Sequence, residues 1–488
     1  MMGPAVGSHD RLFYECNIED VVPADHFLRK IDAVLDLSWL RTELSPYYSH
    51  TGCPSIDPEL IIRMLIVGYC YSIRWERRLC QEVQLNLAYR WFCRLGLEDQ
   101  VPSHSSFSVN RHGRFRDSDI LRQVFESVVC ACMEAGLVGG EGFAVDASVI
   151  EADASRFGRI EGSDIDWSDE QLSRRAIREY VEALGCENSP LNPDQKPKAM
   201  SPTDPTSAWT TRGRNKVMFS YSLNYLIDME NAVIMDVEAT PTRISKEVDA
   251  TETMIERTED QFGLKPDHIA GDMAYGTGEM LGWLVKRDID PHVPVWDKSN
   301  ENKGKFSRAA FTYDADRDLY ICPGKKILKT SGTVHNGTTL KYIAKRSDCG
   351  PCPLKPQCTT SSERRVSRDV NQEARDYAQS LMGTEAYWES VINRKQIERL
   401  FGEAKRHLAM TRLRLRGLAA CSSAATMVVG EIKGRCRLQK ARSVLGRQAN
   451  VLPVMTTCAR SFAFEIRLLN LRIASSKSPG LRRRASST

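Results

Sequence analysis

From about residue 10 to residue 138 the apolar positions recur at helical spacing. Asp57-Pro58-Glu59 opens one helix with an Asp N-cap, a Pro at the first helical position and an acid in the first turn. Leu60, Ile61, Met64, Leu65 and Gly68 then give the helical period. After Ser72 a second helix sets Trp75, Leu79 and Val83 on one face and Arg74, Arg77 and Arg78 on the others. Pro102-Ser103-His104-Ser105-Ser106-Phe107 forms a turn feeding a helix that presents Asn110, Arg111, Arg114 and Arg116. Small helices with arginines beside a turn suit helix-turn-helix DNA recognition. A plain helical bundle would give the same pattern.

From Gly142 the period changes. Phe143 to Ile150 reads as a first strand, and the segment 156–215, broken by Pro190, Pro193, Pro197, Pro202 and Pro205, reads as a long surface excursion. Lys216 to Asp228 and Ala232 to Thr240 alternate as strands about a Met229-Glu230-Asn231 turn. A helix over Lys246 to Phe262, a strand over Ile269 to Asp272, a helix over Thr277 to Lys286 and a strand over His292 to Trp296 follow. Residues 297–388 break this rhythm and read as an insertion. Asp228 and Asp249 are expected in turns or on the surface.

Beyond the insertion lies the helix Asn393-Arg394-Lys395-Gln396-Ile397-Glu398-Arg399-Leu400-Phe401-Gly402-Glu403-Ala404-Lys405. At about 100° per residue, Ile397, Leu400, Phe401, Ala404 and Leu408 form its core stripe. Arg394, Glu398 and Lys405 fall together roughly 60–100° from the centre of that stripe, and Glu403 falls on the opposite flank. One carboxylate at the edge of the core between two cations suits a metal-binding glutamate beside a polyanion. An amphipathic helix with a charged shoulder would look similar.

At 488 residues the chain is expected to form two or three domains, and 42% hydrophobic residues suffice for a normal core. The net charge of +4 announces no partner, but its distribution does. Between Arg394 and Arg416 stand Arg394, Lys395, Arg399, Lys405, Arg406, Arg412, Arg414 and Arg416 against Glu398 and Glu403. Such a local excess can neutralise phosphates, though a solvated helix face would share it. Met1 to Arg11 contains no apolar signal core, and Leu418 to Gly430 is too short to span a bilayer, so no membrane association is expected. Fifteen cysteines without a small-domain framework point to a reducing, cytoplasmic compartment.

The spacing Arg-x3-Glu-x6-Lys at Arg394, Glu398 and Lys405 resembles the signature around the last acid of bacterial insertion-sequence transposases with an Asp-Asp-Glu active site. Members often place a tyrosine three residues before the arginine, where this chain has Val391. Gly142-Phe143-Ala144-Val145-Asp146-Ala147-Ser148 resembles the first acid segment, and His268-Ile269-Ala270-Gly271-Asp272-Met273-Ala274-Tyr275-Gly276 the second. The resemblance spans about residues 10 to 420. It implies an α/β fold with an RNase H-like mixed-sheet core, an all-α N-terminal domain and a Cys-containing insertion. The implied division is a helical DNA-binding domain over 10–138, the first part of the core over 142–296, the insertion over 297–388, the glutamate helix completing the core over 389–435, and a basic tail over 436–488 ending Leu481-Arg482-Arg483-Arg484.

It also implies a chemistry. Cleaving a phosphodiester without a covalent intermediate requires an activated water or 3′-hydroxyl and a stabilised leaving oxygen, which two divalent ions provide. Asp146 would bridge two Mg²⁺ (or Mn²⁺) ions, with Asp272 and Glu398 holding one each. Arg394 and Lys405 would grip phosphates, with Arg111, Arg114 and Arg412 adding DNA contacts. Glu151 and Asp153 compete with Asp146, Glu403 competes with Glu398, and Asp272 could simply cap the following turn.

Cys322, Cys349, Cys352 and Cys358 form a C-x26-C-x2-C-x5-C pattern flanked by Pro-Gly and Gly-Pro turns. It can close a tetrahedral structural zinc site, with His335 as a substitute ligand. Four reduced surface cysteines remain the alternative. The leading expectation is a transposase that binds the terminal inverted repeats of its element as a homo-oligomer on double-stranded DNA, nicks the 3′ ends and joins them to target DNA. A stand-alone RNase H-like nuclease, or a transposase-derived DNA-binding protein, would share these features.

Overall fold

The structure is a computed structural model describing residues 17–49, 51–52, 55–73, 75–165, 167, 175–183, 196–211, 217–242, 244–295, 305–407, 410–413, 415–418 and 421. Pro190, Pro193, Trp296, Arg74, Leu408, Arg414 and the tail over 436–488 lie outside these residues, as do the side chains of Arg116, Ile397, Arg399, Leu400, Glu403 and Ala404.

The N-terminal part is helical. In α1 (Pro58–Cys70) the Asp57 carboxylate accepts from the Glu59 backbone N–H at 3.1 Å, as the Asp-Pro-Glu start requires. Ile61 through Gly68 are all buried, so this helix runs through the centre of its bundle. Burial includes Arg63, whose guanidinium is satisfied by Asp32 at 2.7 Å, Glu59 at 2.8 Å and the Phe92 carbonyl at 3.1 Å. Helices α2 (Glu76–Leu85) and α3 (His104–His112) pack beside it through Leu79, Val83 and Phe107.

Helix α4 (Ile120–Glu134) serves two cores. Ile120, Leu121 and Val124 enter the helical core, while Phe125 and Val129 enter the core of the sheet that follows. Arg122 on the same helix ion-pairs with Asp236 of the sheet, a carboxylate that Arg257 also binds at 2.7 Å.

The central sheet is built from β1 (Gly142–Glu151), β2 (Met218–Asp228), β3 (Ile234–Pro241), β4 (His268–Ala270) and β5 (Asp290–His292). Its spatial order is β3-β2-β1-β4-β5. β2 runs antiparallel to both β1 and β3, and β4 and β5 run parallel to β1. This is the RNase H-like mixed sheet. Phe143, Ala144 and Val145 are fully buried because β1 is central and covered on both faces. A short strand, Ala208–Thr210, takes up the edge of β2 where β3 ends, so the excursion is partly ordered against the sheet.

Asp228 departs from expectation: it is wholly buried. Its carboxylate accepts from the backbone N–H groups of Gly139, Gly140 and Asn231 at 2.9, 3.1 and 3.0 Å, pinning the hairpin turn to the entry of β1. Asp249 is exposed and pairs with Lys246 at 3.1 Å. Helix α5 (Ile244–Phe262) covers β2 and β3 through Val248, Met254 and Ile255, and α6 (Gly278–Lys286) follows β4. The last strand ends at His292 rather than continuing through the expected Val293 to Trp296 run.

The insertion forms a sheet of its own, which the sequence pattern did not predict. Strands β6 (Thr312–Asp314), β7 (Leu319–Ile321), β8 (Ile327–His335), β9 (Thr339–Ala344) and β10 (Arg365–Asp369) are antiparallel in the order β10-β9-β8-β7-β6. Its core is small: Phe311, Tyr320, Leu328, Tyr342, Ala344 and Val366. Helix α7 (Gln372–Leu381) returns the chain to α6 and β5. Helix α8 (Glu385–His407) then crosses β1, β4 and β5.

Candidate active site

Three side chains fix how α8 lies on the sheet. Ser390 Oγ meets His292 Nδ1 at 2.7 Å, and both residues are buried. Tyr387 sets its ring edge against His292, with centroids 5.9 Å apart. Phe401 packs on Tyr225 of β2 at 5.0 Å. Burial, and then the neighbouring His268, pushes His292 down to about 4, so its ring is neutral at physiological pH. These contacts lie on one side of the helix over almost four turns and determine which way residues between them point.

Between them, Arg394 and Glu398 stand one turn apart and reach the sheet beside Asp146. Arg394 Nη2 lies 3.8 Å from Asp146 Oδ2 and 3.8 Å from Glu398 Oε1. Asp146 sits inside β1 opposite Tyr225, and since directly opposed residues share a face, its side chain faces α8. Its side chain is 17% exposed and accepts from the Ala147 N–H at 2.8 Å. Burial raises its carboxyl above the ordinary range against the lowering effects of Arg394 and the Ala147 N–H, and the charges of Asp272 and Glu398 raise it further. Glu398 is half exposed.

Asp272 follows the end of β4, the strand beside β1. It also caps the short turn Met273–Tyr275, accepting from the Ala274 N–H at 2.8 Å. The capping reading and the acid reading therefore describe one residue in one place. Gly271 before it is required by close approach: a Cβ there would lie 3.1 Å from the Tyr275 ring and 3.2 Å from Val145.

The rivals to Asp146 stand elsewhere. Glu151 ends β1, where its backbone bonds to Thr411 and Leu413. Asp153 beyond it binds Arg412 at 3.4 Å and Arg416 at 3.1 Å. Arg412 is thus half exposed and tied to an acid at the far end of β1. Lys405 is partly buried two turns after Glu398 on α8.

Arg111 and Arg114, expected to contact DNA, are engaged within the helical region. Arg111 is 10% exposed in its side chain and binds Glu76 at 3.2 Å and the Tyr69 hydroxyl at 2.9 Å. Arg114 stacks over Tyr48 and binds the Tyr47 carbonyl, Ser55 and Asn110. Both guanidinium groups tie helices together, and the largely buried Arg111 needs its donors satisfied from within.

Two residues were missed. Glu247 in the first turn of α5 accepts from the buried Ser222 hydroxyl at 2.6 Å. Burial raises its carboxyl, opposed by that hydrogen bond, and the charges of Asp272 and Asp146 raise it further. The Tyr275 hydroxyl is buried with no hydrogen-bond partner among the described residues, and burial, then the charges of Glu247, Asp146 and Asp272, push it well above its ordinary range, with Arg394 opposing. The Tyr275 in the second acid segment was the one available signal; Glu247 carried none.

The four insertion cysteines are reduced and gather at one end of the second sheet. A Cβ on Gly324 would lie 3.6 Å from the sulfurs of both Cys322 and Cys352. The Lys326 N–H donates to Cys322 Sγ at 3.3 Å. Burial pushes the Cys358 thiol up, with Arg364 opposing and Cys349, Cys322 and Cys352 among its electrostatic neighbours. His335 ends β8 while Cys322 precedes its start, so the substitute ligand is at the wrong end of the strand. Among the described residues no three His, Cys, Asp or Glu side chains stand at metal-ligand spacing. Among the same residues no helix is long and apolar enough to cross a membrane.

Two family models match the chain: a transposase domain (DUF772) over residues 16–113 and a transposase DDE domain over residues 321–431. No curated protein matches it significantly. Among solved structures, the cryo-EM structure of a piggyBac transposase synaptic complex with hairpin DNA aligns over 93% of this chain and 80% of its own, with 9% identity and a TM-score of 0.31. At that score the alignment carries no argument. The first family model covers most of the helical region and the second contains both the cysteine cluster and the helix bearing Arg394 and Glu398, so the chain carries a transposase domain and a transposase DDE domain.

Proposed function

We propose that this transposase binds the terminal inverted repeats of its element, cleaves the 3′ ends by metal-dependent phosphodiester hydrolysis and joins them to target DNA, acting as a homo-oligomer on paired double-stranded ends. The observation that supports this most is the placing of Arg394 between Asp146 and Glu398, with Asp272 just beyond the end of the next strand. The donor set suits Mg²⁺ or Mn²⁺, since three carboxylates supply hard oxygens. Asp146 would hold both ions, with Asp272 and Glu398 taking one each. When bound, the ions activate water or a 3′-hydroxyl and stabilise charge on the leaving oxygen.

The remaining tasks fall to the chain's own side chains. Arg394 offsets the charge of Asp146 and Glu398, and with DNA bound would donate to a phosphate oxygen beside the scissile bond. Lys405 would meet a flanking phosphate as a point charge. The half-exposed Arg412 and Arg416 extend the same basic strip along the DNA. Element ends would be held by the helical region through groups other than Arg111 and Arg114. Incubating the full chain with labelled element-end DNA and Mg²⁺ tests the reading. A nick exposing the 3′ end is expected; binding without cleavage under Mg²⁺ or Mn²⁺ would instead make this a DNA-binding protein.

The cysteine cluster has a separate role in this reading. Closing on a zinc ion, the four thiols would fasten a sheet whose apolar core is too small to be secure alone. Protein purified without added metal is expected to hold about one zinc per chain, reduced by Cys352→Ser, with chelation lowering the melting temperature. Metal-free protein that melts identically with and without chelator would leave four plain thiols.

A further inference from the structure

Phe157 is the most exposed of the large apolar side chains described, at 89%. A lone apolar residue at a surface is ordinary and needs no function. This one differs in what holds it. The chain leaves β1 through Ala152 and Ala154, both buried, which anchor the segment just before the exposed ring. Just after it, Ile160 pairs with Met200, and the Gly162 N–H donates to the Lys198 carbonyl at 2.9 Å. The turn between is closed from within. The Phe157 N–H donates to Ser155 Oγ at 3.3 Å, and Arg159 Nη1 donates to the Arg156 carbonyl at 3.2 Å. Ile160 packs on a small apolar core that includes Ile177, Tyr180 and Met200, yet Phe157 three residues earlier stays in water.

The surroundings of the ring are cationic. The Arg156 guanidinium lies over it at 5.5 Å from the centroid, and Arg159 is exposed at the other side of the turn. Asp153, four residues before Phe157, binds Arg412 and Arg416, which are both half exposed and keep further N–H donors. The acids paired with these arginines are Asp153 and Glu161, so the cations outnumber them. A fixed turn that holds an aromatic ring in water among arginines has the chemistry of a wedge into stacked bases. The ring replaces a stacking neighbour, and the cations meet the phosphates beside it.

Resting on the end binding proposed above, we infer that Phe157 inserts between adjacent base pairs of the bound double-stranded element end and unstacks that step, with Arg156 on a flanking phosphate. Phe157 is a positioning residue here, acting on the shape of the DNA and not on the reacting atoms. The end of β1 lies five residues beyond Asp146, about 17 Å at about 3.3 Å per residue, so the opened step is several base pairs from the cleaved bond.

Element-end duplexes carrying 2-aminopurine, moved one position at a time, report unstacking as a rise in fluorescence when the full chain binds without Mg²⁺. A several-fold rise is expected at one step, lost in Phe157→Ala and kept in Phe157→Trp, which retains a stacking ring. Phe157→Ala is also expected to weaken end binding about tenfold, the scale of one lost stacking contact, with an unchanged melting temperature because the ring is exposed. End binding with no rise at any position, a rise unchanged in Phe157→Ala, or a rise lost as fully in Phe157→Trp overturns this inference and leaves end binding standing. Failure of the intact chain to bind the end overturns the end-binding reading and this inference with it.

Discussion

Asp146→Asn is expected to lower end cleavage by about a thousandfold or more while leaving the fold and end binding intact. The substitution keeps the shape of the side chain, and β1 stays held by β2 on one side and β4 on the other. What it removes is the charge facing Arg394, on the residue that would hold both ions. The stability effect runs the other way. Burial raises the Asp146 carboxyl in the folded chain, so above the ordinary carboxylate range the unfolded chain gives up that proton more readily than the native one. Stability contributed by this group is therefore lost as pH rises into and through the raised range, and a neutral amide escapes that loss. Asp146→Asn should melt no lower than the intact chain at neutral pH. A variant with lost cleavage and an unchanged or higher melting temperature is the signature of a charge retained for chemistry; lost cleavage with early melting would point to a structural aspartate.

The largest stability effect is expected from Asp236→Ala. This carboxylate is 3% exposed in its side chain and binds two arginines, Arg122 from α4 and Arg257 from α5. Removing it strands both guanidinium groups, Arg122 at 17% and Arg257 at 32% side-chain exposure, and breaking a buried network from one side costs about 3–5 kcal/mol. Arg257 keeps Glu238 at 2.7 Å, so Arg122 is left with the Val237 carbonyl and the greater deficit. Because Arg122 joins the helical region to the sheet, the loss should also loosen DNA-end binding relative to cleavage of short substrates. Denaturant unfolding measures the first effect; a loss under about 1 kcal/mol would mean water replaces the carboxylate at little cost.

What the sequence revealed about this fold was local. The Phe143-Ala144-Val145 run before Asp146 could be read because a central strand buries both faces. The hairpin at Met229-Glu230-Asn231 and the helix before Phe262 followed from period alone, while the RNase H-like core was implied by the family resemblance. The insertion was opaque because its strands bury little: along β8, Leu328 is the fully buried residue, so no apolar alternation marks it. Arg111 and Arg114 looked like a DNA-facing surface because nothing nearby in sequence showed Glu76, Tyr69, Tyr47 and Ser55 folding onto them. Asp228 looked like a surface turn because the backbone amides it binds belong to Gly139 and Gly140, far back along the chain. In the candidate site the Arg394–Glu398 pair was legible from helix geometry.

The central claim is that Asp146, Asp272 and Glu398 form one cation-dependent site for cutting and joining DNA ends. Its most direct test is strand transfer of a labelled element end with Mg²⁺, comparing the intact chain with Glu398→Gln under conditions where both bind the end. Joined product from the intact chain and none from the variant is the expected result. Equal joining by both would contradict the account, removing Glu398 from the site and leaving Glu403 on the same helix as the acid to test.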